Sequence, residues 1–250
     1  MPDKDIIGQR MKKNYEEEFK YSLMRRIPVI IRIDGKAFHT FTKDFQKPFD
    51  IIFNNAMQNT LKKLCQEIQG CKFGYTQSDE ISLLLIDYDK LKTSAWFDNE
   101  IQKICSVSAS MATLYFNNYF SNAITIFEGH TSPQDYGWSL YQAHCKAKIK
   151  GAMFDARCFN IPKEEVTNYF YWQQMDAIKN GIQTIARCIF TEKELYKKSC
   201  DDITKMLIEK DINVNDWNIN GICYDSNTNK LYSPPVFKGA NRQRIEQYLK

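Results

Sequence analysis

Two short acidic stretches have residue types that could do chemistry. The first is Asp34-Gly35, where a carboxylate closes the apolar, β-branched run IPVIIRID of residues 27–34 and a glycine follows at once. A carboxylate at the end of a buried strand is held rigidly and points to the rim of a sheet. The glycine lets the backbone approach a ligand closely. The second is Ser78-Asp79-Glu80, a tight connection between two runs of strand character, residues 73–77 and 81–86. Two carboxylates brought face to face repel unless cations lie between them. Mg²⁺ takes oxygen ligands and keeps substrate phosphates in its shell, and a pair of such ions clamps the attacking and leaving oxygens of a phosphoryl transfer. Each stretch alone has a structural reading, Asp34 capping a turn and Asp79 serving a hairpin. Their joint placement at the ends of adjacent expected strands is what points to a site.

Donors follow the first carboxylate. Lys36, His39 and Lys47 would suit a nucleoside triphosphate, although His39 alone fits a packed or surface histidine as well. Lys103, on an expected helix, is placed to reach phosphate or simply to be solvated. Phe154-Asp155-Ala156-Arg157 sets an acid and a base on one strand, and Arg157 either grips a phosphate or pairs with Asp155. His144, Lys146, Lys148 and Lys150 form a basic cluster without an acid, and Lys238, Arg242, Arg244 and Lys250 form another. Each could neutralise phosphates or make a solvated face.

The elements that must position these residues follow from periodicity and breakers. Residues 11–26 read as an exposed helix and 27–34 as a strand. Ile51, Ile52, Met57, Leu61, Leu64 and Ile68 recur near helical spacing, stopped by Gly70. After the 73–86 hairpin, residues 99–120 predict a long helix whose Ser106, Ser108, Ala109, Ser110 and Ala112 allow close packing on a sheet. Residues 123–127 and 152–160 read as further strands, and 166–189 as a second long helix. Strand, helix, strand, strand, helix, strand is the split βαβ, ferredoxin-like plan. The expected class is α+β, an antiparallel sheet with helices on one face, and it makes the first strand a neighbour of the central hairpin. Residues 1–160 would form this catalytic domain. Residues 161–250 would form a mainly helical region packed on it, ending in a hairpin of 219–224 and 231–237.

Composition agrees with an ordinary folded chain: of 250 residues, 43% are hydrophobic and 26% charged, which excludes a disordered class. A net charge of +4 does not by itself indicate nucleic acid. The eight cysteines show no CxxC pair and no Cys/His ligand spacing, which argues against zinc and reads as reduced thiols in a cytoplasmic protein. Met1 is followed by charge, and no apolar run approaches membrane length.

Taken in order, the blocks are specific. Arg10-Met11-Lys12 with Tyr15-Glu16, Arg32-Ile33-Asp34-Gly35-Lys36-Ala37-Phe38-His39, Lys47-Pro48-Phe49-Asp50 and Gln77-Ser78-Asp79-Glu80-Ile81-Ser82 resemble the tRNA-His guanylyltransferase superfamily in order and spacing. Phe154-Asp155-Ala156-Arg157 resembles its FDGR block, with Ala156 where glycine is usual. The resemblance implies a polymerase-palm-like fold and two Mg²⁺ ions held by Asp34, the Gly35 carbonyl and Asp79. It implies nucleotide and phosphate contacts from Lys36, Ala37, Phe38, His39, Lys47, Asp50, Ser78, Glu80 and Lys103, and tRNA contacts from Lys146, Lys148, Lys150, Arg157 and Asn180. ATP and GTP or other nucleoside triphosphates would be substrates, tRNA the partner and a homotetramer the assembly. The implied reaction is 3′-to-5′ nucleotide addition: ATP adenylylates a 5′-phosphorylated tRNA, and the 3′-hydroxyl of an incoming nucleotide then displaces AMP. One block departs. Eukaryotic tRNA-His enzymes carry His-Ile-Asn-Asn after the FDGR block, whereas this chain reads Ala177-Ile178-Lys179-Asn180. That is similar to the guanylyltransferase-like branch, which repairs 5′-truncated tRNAs on a template. The absence of an obvious base-reading motif also favours choice by pairing. The alternatives are addition of a single guanosine to tRNA-His, a nucleotide cyclase on the same palm, and a non-catalytic RNA-binding protein.

Overall fold

A computed structural model describes residues 3–130 and 137–250. Strand β1 (Val29–Gly35) and helix α3 (Ile51–Glu67) follow an N-terminal helix α1 (Asp3–Met11) and flank a one-turn α2 (Phe38–Phe41). The hairpin β2 (Cys71–Gln77) and β3 (Glu80–Leu85) leads to α4 (Ile101–His130), α5 (Trp138–Lys150) and β4 (Phe154–Asn160). A second long helix, α6 (Lys163–Ala186), is followed by α7 (Glu192–Leu195), α8 (Cys200–Ile208), the hairpin β5 (Ile222–Asp225) and β6 (Lys230–Tyr232), and α9 (Gln243–Glu246).

All six strands form one sheet in the order β4-β1-β3-β2-β5-β6, each neighbour antiparallel. The first four follow the split βαβ order expected from the sequence. The strand period of two sends alternate side chains to opposite faces. Val29, Ile31 and Ile33 of β1, with Ile81, Leu83 and Leu85 of β3, meet the buried stripes of α3 and α4. Ile30, Phe73, Tyr75 and Leu84 meet Val166, Phe170 and Ala177 of α6 on the other side. The sheet therefore carries helices on both faces: α3 and α4 belong to the βαβ plan, while α6 comes from the C-terminal part. The terminal hairpin does not pack on the sheet but extends it, β5 pairing with β2 from Phe73↔Asp225 to Thr76↔Ile222.

Helix α3 begins at Asp50, whose carboxylate accepts the Phe53 amide at 2.9 Å, supplying a partner to an orphan donor of the first turn. In α4 the buried positions Ile104, Ser108, Ala112, Phe116, Phe120 and Ile124 recur every four residues, one stripe along the sheet. That stripe corrects one expectation. Residues 123–127 are not a strand but the last turns of α4. Their β-branched residues suggest extended structure, yet Ile124 continues the row of Phe116 and Phe120, and burial along the row outweighs local propensity.

Candidate active site at the sheet edge

Asp34 lies at the end of β1, opposite Glu80 of β3 and Asp155 of β4. Directly paired residues share a face, so three carboxylates line up across one end of the sheet, on the side covered by α6. One pair further in, Arg32 stands opposite Arg157. The Arg32 Nη2 donates to Glu80 Oε1 at 2.5 Å, and its guanidinium lies 5.8 Å from the Trp172 ring centre. The Arg157 Nη2 lies 3.3 Å from Asp155 Oδ1 and 3.8 Å from Asp34 Oδ2. Arg157 thus does pair with Asp155, while its side chain is 55% exposed and open to a ligand phosphate.

Asp79 sits in the β2–β3 turn, next to Ser78, whose φ of 53° is left-handed. Ser78 Oγ donates to Asp79 Oδ1 at 3.0 Å, and the Asp79 carbonyl accepts the Gly35 amide at 3.2 Å. The turn is thereby tied to the end of β1, and the two sequence stretches meet. Burial first, and then the charge of Asp34, push the Asp79 carboxyl above its ordinary value against hydrogen bonds from its own amide and Ser78. Burial also pushes Glu80 up, with Asp34 and Asp79 adding to it and Arg32 opposing. Negative charge is thus in local excess, a condition a cation relieves.

The donors fit a hard cation. The carboxylates of Asp34 and Asp79 and the Gly35 carbonyl are all oxygen donors, which suit Mg²⁺ and not a thiolate- or imidazole-seeking metal. Among the described residues no group of three or more His, Cys, Asp or Glu is assembled to hold a metal ion. A site of two carboxylates matches an ion that completes its shell with water and substrate phosphates. Gly35 has a packing role as well: a Cβ there would lie 2.3 Å from the Phe38 ring.

A cleft of about 630 Å³ opens beside Asp79 and Gly35. One wall is the segment from Ala37 to Gln58, with His39, Gln46, Lys47 and Asn54. The other is Asn180, Gly181 and Thr184 of α6 with Asp216, Trp217 and Asn218. Of the residues proposed for nucleotide, Ala37, Phe38, His39, Lys47, Asp50 and Ser78 line this cleft. Phe38 does so as a core residue, 4% exposed and packed on Phe41, Phe53, Phe116 and Phe154. The Asp50 oxygens already accept the Phe53 amide, the Gln46 amide and the His144 ring. Lys36, exposed, ties its amide to the Met153 carbonyl, Glu80 is bound to Arg32, and Lys103 pairs with Glu100 at 3.3 Å on the first turn of α4; none of the three lines the cleft.

Of the RNA-contact residues, Lys146, Lys148 and Lys150 are exposed on the last turns of α5. Asn180 lines the cleft, its amide donating to Asp176 at 2.9 Å. His144 leaves the basic cluster: it is 1% exposed, with Nε2 2.9 Å from Asp50 Oδ2. Arg242 is engaged by Glu246 and Asn168, and Arg244 lies over the Tyr232 ring. Sequence reasoning missed Gln46, Asn54, Thr184 and the 216–218 wall. The one signal for the wall was a lone tryptophan among polar neighbours, Asn215-Asp216-Trp217-Asn218.

The tRNAHis guanylyltransferase (Thg1) family matches residues 8–162, more than half of the chain, including both acidic stretches. The chain belongs to the tRNAHis guanylyltransferase family. That family is one of nucleotidyltransferases, as the carboxylate pair suggested. A bacterial tRNA(His) guanylyltransferase-like protein, solved in complex with ATP, superposes with a TM-score of 0.81 at 40% identity, covering 97% of this chain and 99% of its own. The tRNA(His) guanylyltransferase of Saccharomyces cerevisiae, 20% identical in its crystal structure with a TM-score of 0.67 over 93% of this chain and 99% of its own, shares the fold. In sequence, an uncharacterised protein of Acanthamoeba polyphaga mimivirus is 29% identical over 83% of this chain and 71% of its own length. The match covers 51% of the tRNA(His) guanylyltransferase of Debaryomyces hansenii and 76% of that of Candida glabrata. No helix among the described residues is long and apolar enough to cross a membrane.

Proposed function

We propose that this guanylyltransferase-family chain adds nucleotides in the 3′-to-5′ direction to the 5′ end of tRNA, choosing each by pairing with the opposite strand. The observation that carries the reading is the tie between the two acidic stretches, the Gly35 amide on the Asp79 carbonyl, beside a cleft that Gly35 and Asp79 line, with burial and the charge of Asp34 both raising the Asp79 carboxyl. Mg²⁺ bound by Asp34, Asp79 and the Gly35 carbonyl would supply charge neutralisation for phosphoryl transfer. Lys47 and His39, which line the cleft, would meet the triphosphate. Arg157, exposed beside Asp34, would take the 5′ phosphate of the RNA, and the exposed Lys146, Lys148 and Lys150 would take its backbone. In the first step a 5′-phosphate oxygen attacks the α-phosphorus of ATP and pyrophosphate leaves. In the second the 3′-hydroxyl of an incoming nucleoside triphosphate attacks the activated 5′ phosphorus and AMP leaves.

Support for templated choice comes from α6. Ile178, where eukaryotic tRNA-His enzymes carry a histidine, packs against the cluster of Ile182, Ile185, Ile203 and Leu207 and offers nothing to a base. A tetramer would let residues of two subunits contact one elongated RNA. The test offers 5′-truncated tRNAs with each base opposite the gap. Incorporation that follows the opposing base supports the reading. Addition of guanosine alone, whatever the opposing base and only with a histidine anticodon, would make the chain a dedicated tRNA-His enzyme instead.

A further inference from the structure

The wall formed by Asp216, Trp217 and Asn218 lies outside the span matched by the family, and neither the acids nor the basic cluster explains it. Trp217 is 37% exposed although it lines the cleft, and its ring centre lies 5.7 Å from that of Phe49 at 49°. A tryptophan half packed on another ring and half open in a cleft presents a ready stacking surface.

The wall is also rigidly built. Gln174, fully buried, donates to the carbonyls of Asn220 and Pro235 at 3.3 and 3.2 Å and accepts the Phe237 amide at 2.8 Å. Tyr75 Oη donates to the Asn220 carbonyl at 3.2 Å, and Asn218 Oδ1 accepts Ser233 Oγ at 2.7 Å. On α6, Gly181 leaves room for Ile219, since a Cβ there would lie 2.7 Å from Ile219 Cγ2. Just beyond, Ile222 pairs with Thr76 of β2, three residues before Asp79. The sheet thus joins this wall to the end that carries the acids.

We infer that Trp217 is the base platform of the cleft, stacking on the nucleobase of a bound nucleoside triphosphate. The orientation follows from charge. His39 and Lys47 line the cleft from the segment whose Phe49 the indole touches, and the carboxylate of Asp216 beside the indole repels a triphosphate from the Trp217 end. The phosphates therefore lie away from Asp216, toward the Asp79 turn, and the base lies against the indole. A stacking face holds every base because each has a π-surface. Such a platform gives affinity without choosing the base, which leaves the choice to a template.

The inference rests on the nucleotide reading of the cleft, and the experiment separates the two. Dissociation constants are measured by calorimetry, with Mg²⁺ present, for ATP, GTP, CTP, UTP and inorganic tripolyphosphate, on the full chain and on Trp217→Ala and Trp217→Phe. Loss of one stacking partner weakens a nucleotide by roughly 5- to 150-fold. Trp217→Ala is expected to weaken all four nucleotides within that range and to leave tripolyphosphate within about twofold, which also shows that the variant cleft is folded. Trp217→Phe is expected to recover most of the affinity. Unchanged nucleotide affinity in Trp217→Ala, or an equal loss for tripolyphosphate, would overturn the platform while leaving the cleft a nucleotide site. If the unaltered chain binds neither nucleotides nor tripolyphosphate, the reading of the cleft falls and the platform with it.

Discussion

Replacing His144 by alanine tests whether one buried pair holds the cleft wall in place. His144 and Asp50 are 1% and 5% exposed, and their contact is 2.9 Å. The imidazole also stands edge-on to Phe45 and Phe120, at 4.6 and 5.8 Å between ring centres. Removing one partner of such a pair costs about 3–5 kcal/mol, because the other is left buried and short of a partner. Asp50 keeps the amides of Phe53 and Gln46, which places the loss near the lower end, about 3 kcal/mol. That is still a large fraction of the roughly 5–15 kcal/mol that holds a domain together. His144→Phe keeps the ring volume and drops the N–H, so the two variants divide packing from hydrogen bonding. Urea unfolding with an unchanged slope measures both. A loss below about 1 kcal/mol for His144→Ala would refute the reasoning.

The same pair makes a pH prediction. Burial alone would push the Asp50 carboxyl up, but the hydrogen bond from His144 and those from the Phe53 and Gln46 amides, with the His144 charge, hold it below its ordinary value. A carboxyl depressed by folding adds stability above its unfolded pKa and loses it as pH falls through the folded one. The gap between the unaltered chain and His144→Ala should therefore be widest near about pH 7 and narrow toward about pH 3, read from the same urea curves.

Three further outcomes follow from the site. Asp79→Asn should lower nucleotide transfer by at least about 100-fold while raising the metal-free melting temperature, since it removes a buried charge facing Asp34; unimpaired transfer would take Asp79 out of the site. Because the folded Asp79 carboxyl is raised, its ionised form opposes folding above the unfolded pKa, and protons compete with a cation as pH drops toward the folded one. The rise in melting temperature on adding Mg²⁺ should thus be larger near about pH 7.5 than near about pH 5. Gly181→Ala should destabilise by about 1–3 kcal/mol through the clash with Ile219 and weaken nucleotide binding, checked by urea unfolding and calorimetry.

The carboxylate pair was legible because its position depends on local signals. A β-branched run ends in Asp34, a turn carries Asp79, and the βαβ order makes their strands neighbours. The helical stripe of α3 was legible for the same reason. Residues 123–127 misled because β-branched residues mark a strand only when nothing longer claims them, and the α4 stripe did. His144 read as basic surface from its lysine neighbours, whereas the helix turns it inward onto Asp50. The Trp217 wall left almost no trace. It reaches the cleft only because β5 joins β2 and Gln174 gathers the segments around it, contacts between residues far apart in the chain.

The order of strands in space carries a last consequence. The sheet takes its first four strands from residues before 161 and its last two from the far end of the chain, so the molecule has no seam where the sequence might suggest one. A chain stopped at residue 162, where the family match ends, would strip α6 from Ile30, Phe73 and Leu84 and leave β2 with bare amides and carbonyls along its flank. An open edge beside an uncovered apolar face invites self-association. Such a fragment, with both acids intact, should precipitate rather than catalyse, so the tail is part of the fold's closure and not an appendage to it.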